Sequence, residues 1–160
     1  MPTETIIRSR NVSFRDIYIA AVTANTSAAY TADTPTKFAR AIDGKVSDKF
    51  TSEKIYSDDG VEDVNVSYEG TDVELEVNSL APQDRVKIFG NLYEKGYLTR
   101  NKDDKPPEVA MGYRSKKLNG KYDFVWLYCG RFDQGVEDDY HTTEGSTTTQ
   151  TAKLNASFYA

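Results

Sequence analysis

The stretch PPEVAMGYRSKKLNGKYDFVWLYCGRF, residues 106–132, reads as a long β-hairpin turned at Asn119-Gly120. Asn-Gly suits a two-residue turn that needs positive φ at both positions. On the return strand Tyr122, Phe124, Trp126 and Tyr128 share one face, while Val125, Leu127 and Cys129 share the other. Both faces are apolar, so the strand should be covered on two sides, with Trp126 inside.

Upstream lies the clearest alternation in the chain. Val64, Val66 and Tyr68 point one way and Asp63, Asn65, Ser67 and Glu69 the other; after Gly70, Val73, Leu75 and Val77 oppose Asp72, Glu74, Glu76 and Asn78. This is the pattern of a hairpin with one apolar and one acidic face. Five acids, Asp63, Glu69, Asp72, Glu74 and Glu76, face outward with no base among them, and like charges set cross-strand repel. A preceding strand from Ala41 to Ile55 should end in a turn at Asp58-Asp59-Gly60.

Working outward again, Pro82 fits the first position of a helix, and Gln83 and Asp84 suit its first turn. Val86, Phe89 and Tyr93 recur at helical spacing, which predicts one helix over about residues 82–92. Strands are expected around Ile17 to Val22, at Tyr97 to Arg100 and from Thr149 to Tyr159. Small and polar residues make 24–36 and 133–148 mobile loops, long enough to be ordered by a partner.

Eleven Tyr and seven Phe against two Met favour strands over helical bundles. The expected class is therefore mainly β with a flanking helix, in one domain spanning residues 1–160. The net charge of -5 argues against a protein that grips nucleic acid by neutralising phosphates. It is unevenly spread: residues 56–80 hold eight acids and no Lys or Arg, and residues 85–121 hold ten bases against four acids. One cysteine excludes an internal disulfide framework, and Cys129 is expected to be buried. No charged-then-apolar leader opens the chain and no apolar run reaches membrane-spanning length, so synthesis and assembly in cytoplasm are expected, with no membrane partner.

Catalytic groups do not converge. His141 is the single histidine and lies in an acidic, Thr-rich loop without a second His or a Cys at metal spacing. Asp58-Asp59 lacks the further spaced oxygen ligands of a calcium loop and reads as a turn. Phosphate loops, nucleophile elbows and two-histidine zinc motifs are all missing from the sequence. The expectation is a protein that is not an enzyme and carries no metal or cofactor.

Several segments, in order, resemble the major tail (tail-tube) proteins of long-tailed phages with non-contractile tails. Gly112-Tyr113-Arg114-Ser115 precedes Asn119-Gly120-Lys121-Tyr122, and the aromatic strand Val125-Trp126-Leu127-Tyr128 follows. Tyr56-Ser57-Asp58-Asp59-Gly60 resembles that family's Tyr-x-Asp-Asp-Gly turn, Val73-Glu74-Leu75-Glu76-Val77 its next strand, and Thr149-Gln150-Thr151-Ala152-Lys153-Leu154 its late strand. The matches run from about Lys45 onward. Relatives usually continue beyond a stretch like Ala156-Ser157-Phe158-Tyr159-Ala160, so the resemblance implies a further C-terminal piece.

The resemblance implies a β-sandwich, or barrel-like, tail-tube subunit of the virion. Six copies form a ring, rings stack into the tube that conducts the genome, and each subunit lends strands to a barrel around the channel. Tape-measure, tail-terminator and baseplate proteins are the implied partners, and genomic DNA passes without specific binding. Asp63, Glu69, Asp72, Glu74 and Glu76 are then the lumen-lining candidates. Asp58, Asp59, Arg114, Lys116, Lys117 and Lys121 are the inter-subunit candidates, acids of one copy meeting bases of the next. Two other readings fit the residues: the tube of a phage-tail-like bacteriocin, which carries no DNA, and a β-sandwich module that recognises a sugar or host-surface ligand.

Overall fold

The structure, a computed structural model, describes residues 8–133, 137–138, 145 and 151–159. Its strands are β1 (Asn11–Asn25), β2 (Tyr30–Ala32), β3 (Thr36–Lys37), β4 (Ala41–Ser57) and β5 (Gly60–Val77), followed by helix α1 (Pro82–Phe89). Then come β6 (Leu92–Glu94), β7 (Tyr97–Thr99), β8 (Val109–Lys117), β9 (Tyr122–Phe132), β10 (Glu137–Asp138) and β11 (Ala152–Phe158). The chain is mainly β, as its composition implies.

One antiparallel sheet runs in the order β2-β1-β8-β9-β11-β5-β4, with β3 also on β1 and β10 on β11; β6 and β7 form a separate small hairpin. The sheet curls until the Phe14 ring of β1 lies against Gly44 of β4. The result is sandwich-like, and its terminal strands β2 and β4 do not pair to close a barrel. Between the curled halves sit Ile17, Ile19, Val73, Leu75, Val77, Met111, Leu154 and Phe158, plugged at one end by Ile88 and Phe89 of α1. Removing these apolar side chains from water is the main stabilising term of the fold. Cys129 is buried, as expected.

The 106–132 hairpin forms as β8 and β9, but its turn differs from the expectation. Lys117 N–H donates to Lys121 O at 2.8 Å and Gly120 N–H to Lys117 O at 3.0 Å, leaving three residues in the loop. Gly120 has φ 84° and Asn119 does not have positive φ, which matches a three-residue loop ending in a left-handed glycine. The two-residue turn with positive φ at both positions is instead Asp58-Asp59, φ 48° and 62°, joining β4 to β5.

β5 also departs from the reading. Asp63 to Glu69 and Val73 to Val77 are not the two arms of a hairpin; they are one continuous strand, paired along its length with β4. Phe50 opposes Tyr68 and Lys49 opposes Gly70, so Glu69 is the extra residue of a bulge. A bulge shifts the side-chain parity by one, and for this reason Val64, Val66 and Tyr68 stay on the same side as Val73, Leu75 and Val77.

Other expectations need smaller corrections. α1 stops at Phe89, and its buried residues are Arg85, Ile88 and Phe89; Val86 is partly exposed and Tyr93 belongs to β6. Residues 24–36, expected as a loop, contain β2 and the first residue of β3, both strands paired with β1. Most of 133–148, including His141, lies outside the described residues, and the last strand is the shorter Ala152–Phe158.

Candidate assembly surfaces

The paired residues of β4 and β5 define two faces. Asp63, Asp72, Glu74 and Glu76 oppose Ile55, Ser47, Lys45 and Asp43, and the bulged Glu69 accepts a hydrogen bond from the Thr51 hydroxyl on that same side. All five lumen candidates therefore share one face. The expectation that no base compensates them fails, because the bases come from neighbouring strands. Lys49 Nζ lies 2.5 Å from Asp72 Oδ2, Lys45 is cross-strand to Glu74, and Lys153 of β11 is cross-strand to Glu76.

Further hydrogen bonds fix the part of this face nearest the body. Glu76 accepts from the Thr151 hydroxyl at 2.7 Å, and Asp72 from the Ser157 hydroxyl at 3.2 Å. Lys49 holds the Asp72 carboxyl below the ordinary carboxylate value, since its ammonium favours the ionised form. Seven carboxylates, those of Asp43, Glu53, Asp63, Glu69, Asp72, Glu74 and Glu76, share the face with three Lys. It remains net acidic.

The reverse face of the hairpin changes character along its length. β11 pairs with β5 from Thr71 to Val77 only. Beyond that point β4 and β5 leave the body as a two-stranded arm of roughly ten residues per strand, or ~30 Å. Phe50 (60% exposed), Val66 (58%), Val64 and Tyr68 lie on one side of it with much of their surface bare. An Asp48–Thr71–Tyr68 chain of hydrogen bonds marks the base of the arm. Two strands alone are marginal in water, and an apolar face of this size on a monomer marks an interaction site. The alternation identifies the apolar side from sequence but not what covers it. The signal available was length, since strands of 17 and 18 residues far exceed the usual 5–6.

A second bare apolar surface lies on β9. Val125 and Leu127 turn toward the core side as expected, but a bulge between Leu127 and Gly130 puts Cys129 on the other side, its thiol beside Tyr159 and Glu108. That other face is not covered, since Phe124 is 78% and Tyr128 63% exposed. Trp126 is half-buried and rests on Gly112, where any Cβ would come within 2.0 Å of the indole. Phe124 and Trp126 line a cavity of about 550 Å³ with Tyr18 and Arg114. Tyr30 of β2 reaches the end of this face, its hydroxyl donating to Tyr128 O at 2.6 Å.

The basic residues cluster at the β8–β9 turn as expected, and two have partners within the chain. Arg114 bonds Asp16 and lies over the Tyr122 ring, 4.7 Å from its centroid, while Lys117 Nζ is 2.8 Å from Asp123 Oδ2. Asp16 has φ 55° at a bulge of β1 and also meets Lys37 at 3.4 Å. Lys116 and Lys121 stand at the turn, far along the chain from the acids Asp58 and Asp59 at the tip of the arm. Among the described residues no group of His, Cys, Asp and Glu is arranged to hold a metal ion.

A protein-family model described as "phage tail tube protein" matches residues 49–158, more than half of the chain. No curated protein matches it.

Proposed function

Because this chain belongs to the phage tail tube protein family, we propose that it is the structural, non-catalytic subunit of a virion tail, six copies forming a ring and the rings stacking into a tube. The observation that carries this reading is the β4–β5 arm: a hairpin with a net-acidic face and a bare apolar reverse, projecting from a body that leaves it uncovered. Such an arm is unfavourable on an isolated chain and favourable where neighbours cover it. If six subunits lend four strands each, a strand spacing of ~4.8 Å and a tilt of ~40° give a barrel roughly 48 Å across at the backbone. Duplex DNA fits within it after side chains are subtracted.

The acidic face of β5 then lines the bore, with Asp63, Glu69, Asp72, Glu74 and Glu76 toward the DNA. Phosphates beside Lys or Arg would release counterions and bind, whereas beside carboxylates they are repelled and stay mobile. Lys49, Lys45 and Lys153 offset part of the charge of Asp72, Glu74 and Glu76, so Asp63 and Glu69 carry most of this effect. Tape-measure, tail-terminator and baseplate proteins are the partners at the tube's ends and core, and the stretches 24–36 and 133–148 serve stacking. No described helix is long and apolar enough to cross a membrane.

Replacing Asp63, Glu69 and Glu76 together with Lys should slow or block DNA ejection from assembled particles; unchanged ejection would remove the lining role. Hollow striated filaments of the purified protein in negative-stain electron microscopy test the tube itself. Such filaments would also form from a bacteriocin subunit, which neighbouring genes distinguish. The exposed Phe124 and Tyr128 beside the 550 Å³ cavity favour, as a second reading, a module that binds a sugar or host-surface ligand. Filaments would dispose of it.

A further inference from the structure

We infer that the bare apolar face of the β4–β5 arm docks on the aromatic face of β9 in a second copy of this chain. This rests on the tube reading and adds the acceptor surface. The two surfaces lie on opposite sides of one curled sheet. The arm's apolar residues continue the core-facing side of β5, whereas Phe124, Trp126 and Tyr128 are on the side of β9 that faces away from the core. Within one chain they approach only at the base of the arm, where Tyr68 lines a cavity with Trp126 and Tyr128; farther out Val64, Val66 and Phe124 remain bare, and a neighbour can cover them. The contact joins unlike surfaces, so it repeats head to tail and closes into a ring or propagates.

Dimensions and charge select this occupant. Phe50 to Tyr56 on the arm and Tyr122 to Tyr128 on β9 each span six residue steps, or ~20 Å. The arm's tip, residues 53–63, holds five acids and one base. The far end of the aromatic face is the β8–β9 turn, where residues 8–16, 37 and 114–123 hold eight bases and two acids. Hydrogen bonds from Leu118 N–H to Arg10 O and from Asn119 N–H to Ser9 Oγ tie the first of these segments to that turn. Opposite charges at one end fix the direction of docking: Asp58 and Asp59 over Lys116 and Lys121, Val64 over Phe124, Tyr68 over Tyr128.

That register also places Lys54, which is paired with Val64 on the apolar side of the arm, over the Phe124 ring. An ammonium is attracted to the face of an aromatic ring. Its presence on a mainly apolar surface is thereby accounted for.

The test is disulfide trapping of a Val64→Cys/Phe124→Cys variant in a Cys129→Ala background. Mild oxidation of the concentrated protein should give a covalent ladder of multimers, and neither single-cysteine variant should give a covalent dimer. Absence of the ladder from the double variant overturns the contact. So does a covalent dimer from either single variant, which would mean like surfaces meeting. A Phe124→Ser/Tyr128→Ser variant should keep its β-sheet circular dichroism and lose multimers; retained multimers likewise overturn the contact. Asp58→Lys/Asp59→Lys should also abolish multimers, and adding Lys116→Glu/Lys121→Glu should restore them. Filaments of the parent protein without the ladder leave the tube standing and sink the contact, and a ladder without filaments does the reverse.

Discussion

The inner and outer halves of the β4–β5 hairpin are built from the same two strands with the same alternation, yet they live in different surroundings. From Thr71 to Val77, β5 lies between β4 and β11, and Thr71, Val73, Leu75 and Val77 are all buried. From Gly60 to Glu69 it has only β4 beside it, and Val64, Val66 and Tyr68 are exposed. The side-chain pattern is one property of the strand; what covers it is a property of the assembly around it. In the inner half the chain supplies its own cover, and in the outer half it does not.

The sharpest way to break this comparison is to make one loss in each half. Leu75→Ala should cost about 2–5 kcal/mol of folding stability, since it opens a cavity in a closed core. Val66→Ser should change monomer stability by no more than about 0.5 kcal/mol and should prevent filaments. Urea denaturation of both variants, with electron microscopy of each, reads the two effects separately. A large loss of monomer stability in Val66→Ser would show that the arm is covered within one chain.

A smaller effect is expected at the boundary between the halves. Gly70 has φ 144° and is buried, and a Cβ there would come within 2.7 Å of the Phe158 carbonyl oxygen. Gly70→Ala should destabilise by about 1–3 kcal/mol, the cost of holding a side chain in a sparsely populated backbone region. It should also loosen the bulge that keeps both apolar runs on one side. Amide exchange should then quicken around residues 68–72 while remaining slow at Val73–Val77; unchanged exchange at the bulge would show that the kink tolerates a side chain.

Much of this was legible in the sequence, and the failures have a common cause. Alternation identified the acidic and apolar sides of residues 63–77, because period two is a local property. Whether Gly70 turns the chain or merely bulges it depends on which strand lies alongside, and β4 is set by long-range pairing. The same holds for Lys49 and Lys153, which temper the acidic face from strands that are neighbours in space but not in sequence. Asn119-Gly120 and Asp58-Asp59 could each make a tight turn by local chemistry, and the register of the flanking strands decided which did. The pattern alone predicts cover over Phe124 and Tyr128, because an apolar residue carries no label saying whether its cover is its own chain or a partner.

The smallest effect separates the two halves electrostatically. Asp72, in the inner half, is held by Lys49, which lowers its folded-state pKa below the ordinary value of 3.8. A depressed carboxylate pKa means that the unfolded chain binds the proton more readily than the folded one. The stabilisation is therefore full above the unfolded value and disappears as pH falls through the folded one. Both partners are solvent-exposed, so the gain is minor and screened by salt. Asp72→Asn should lower the urea midpoint slightly at pH 6 and low salt. That difference from the parent should shrink as pH drops below about 3.8, and it should also shrink at pH 6 in 1 M salt, where the Debye length is ~3 Å. A difference independent of both pH and salt would mean that Asp72 acts through its hydrogen bond with Ser157, with Lys49 incidental.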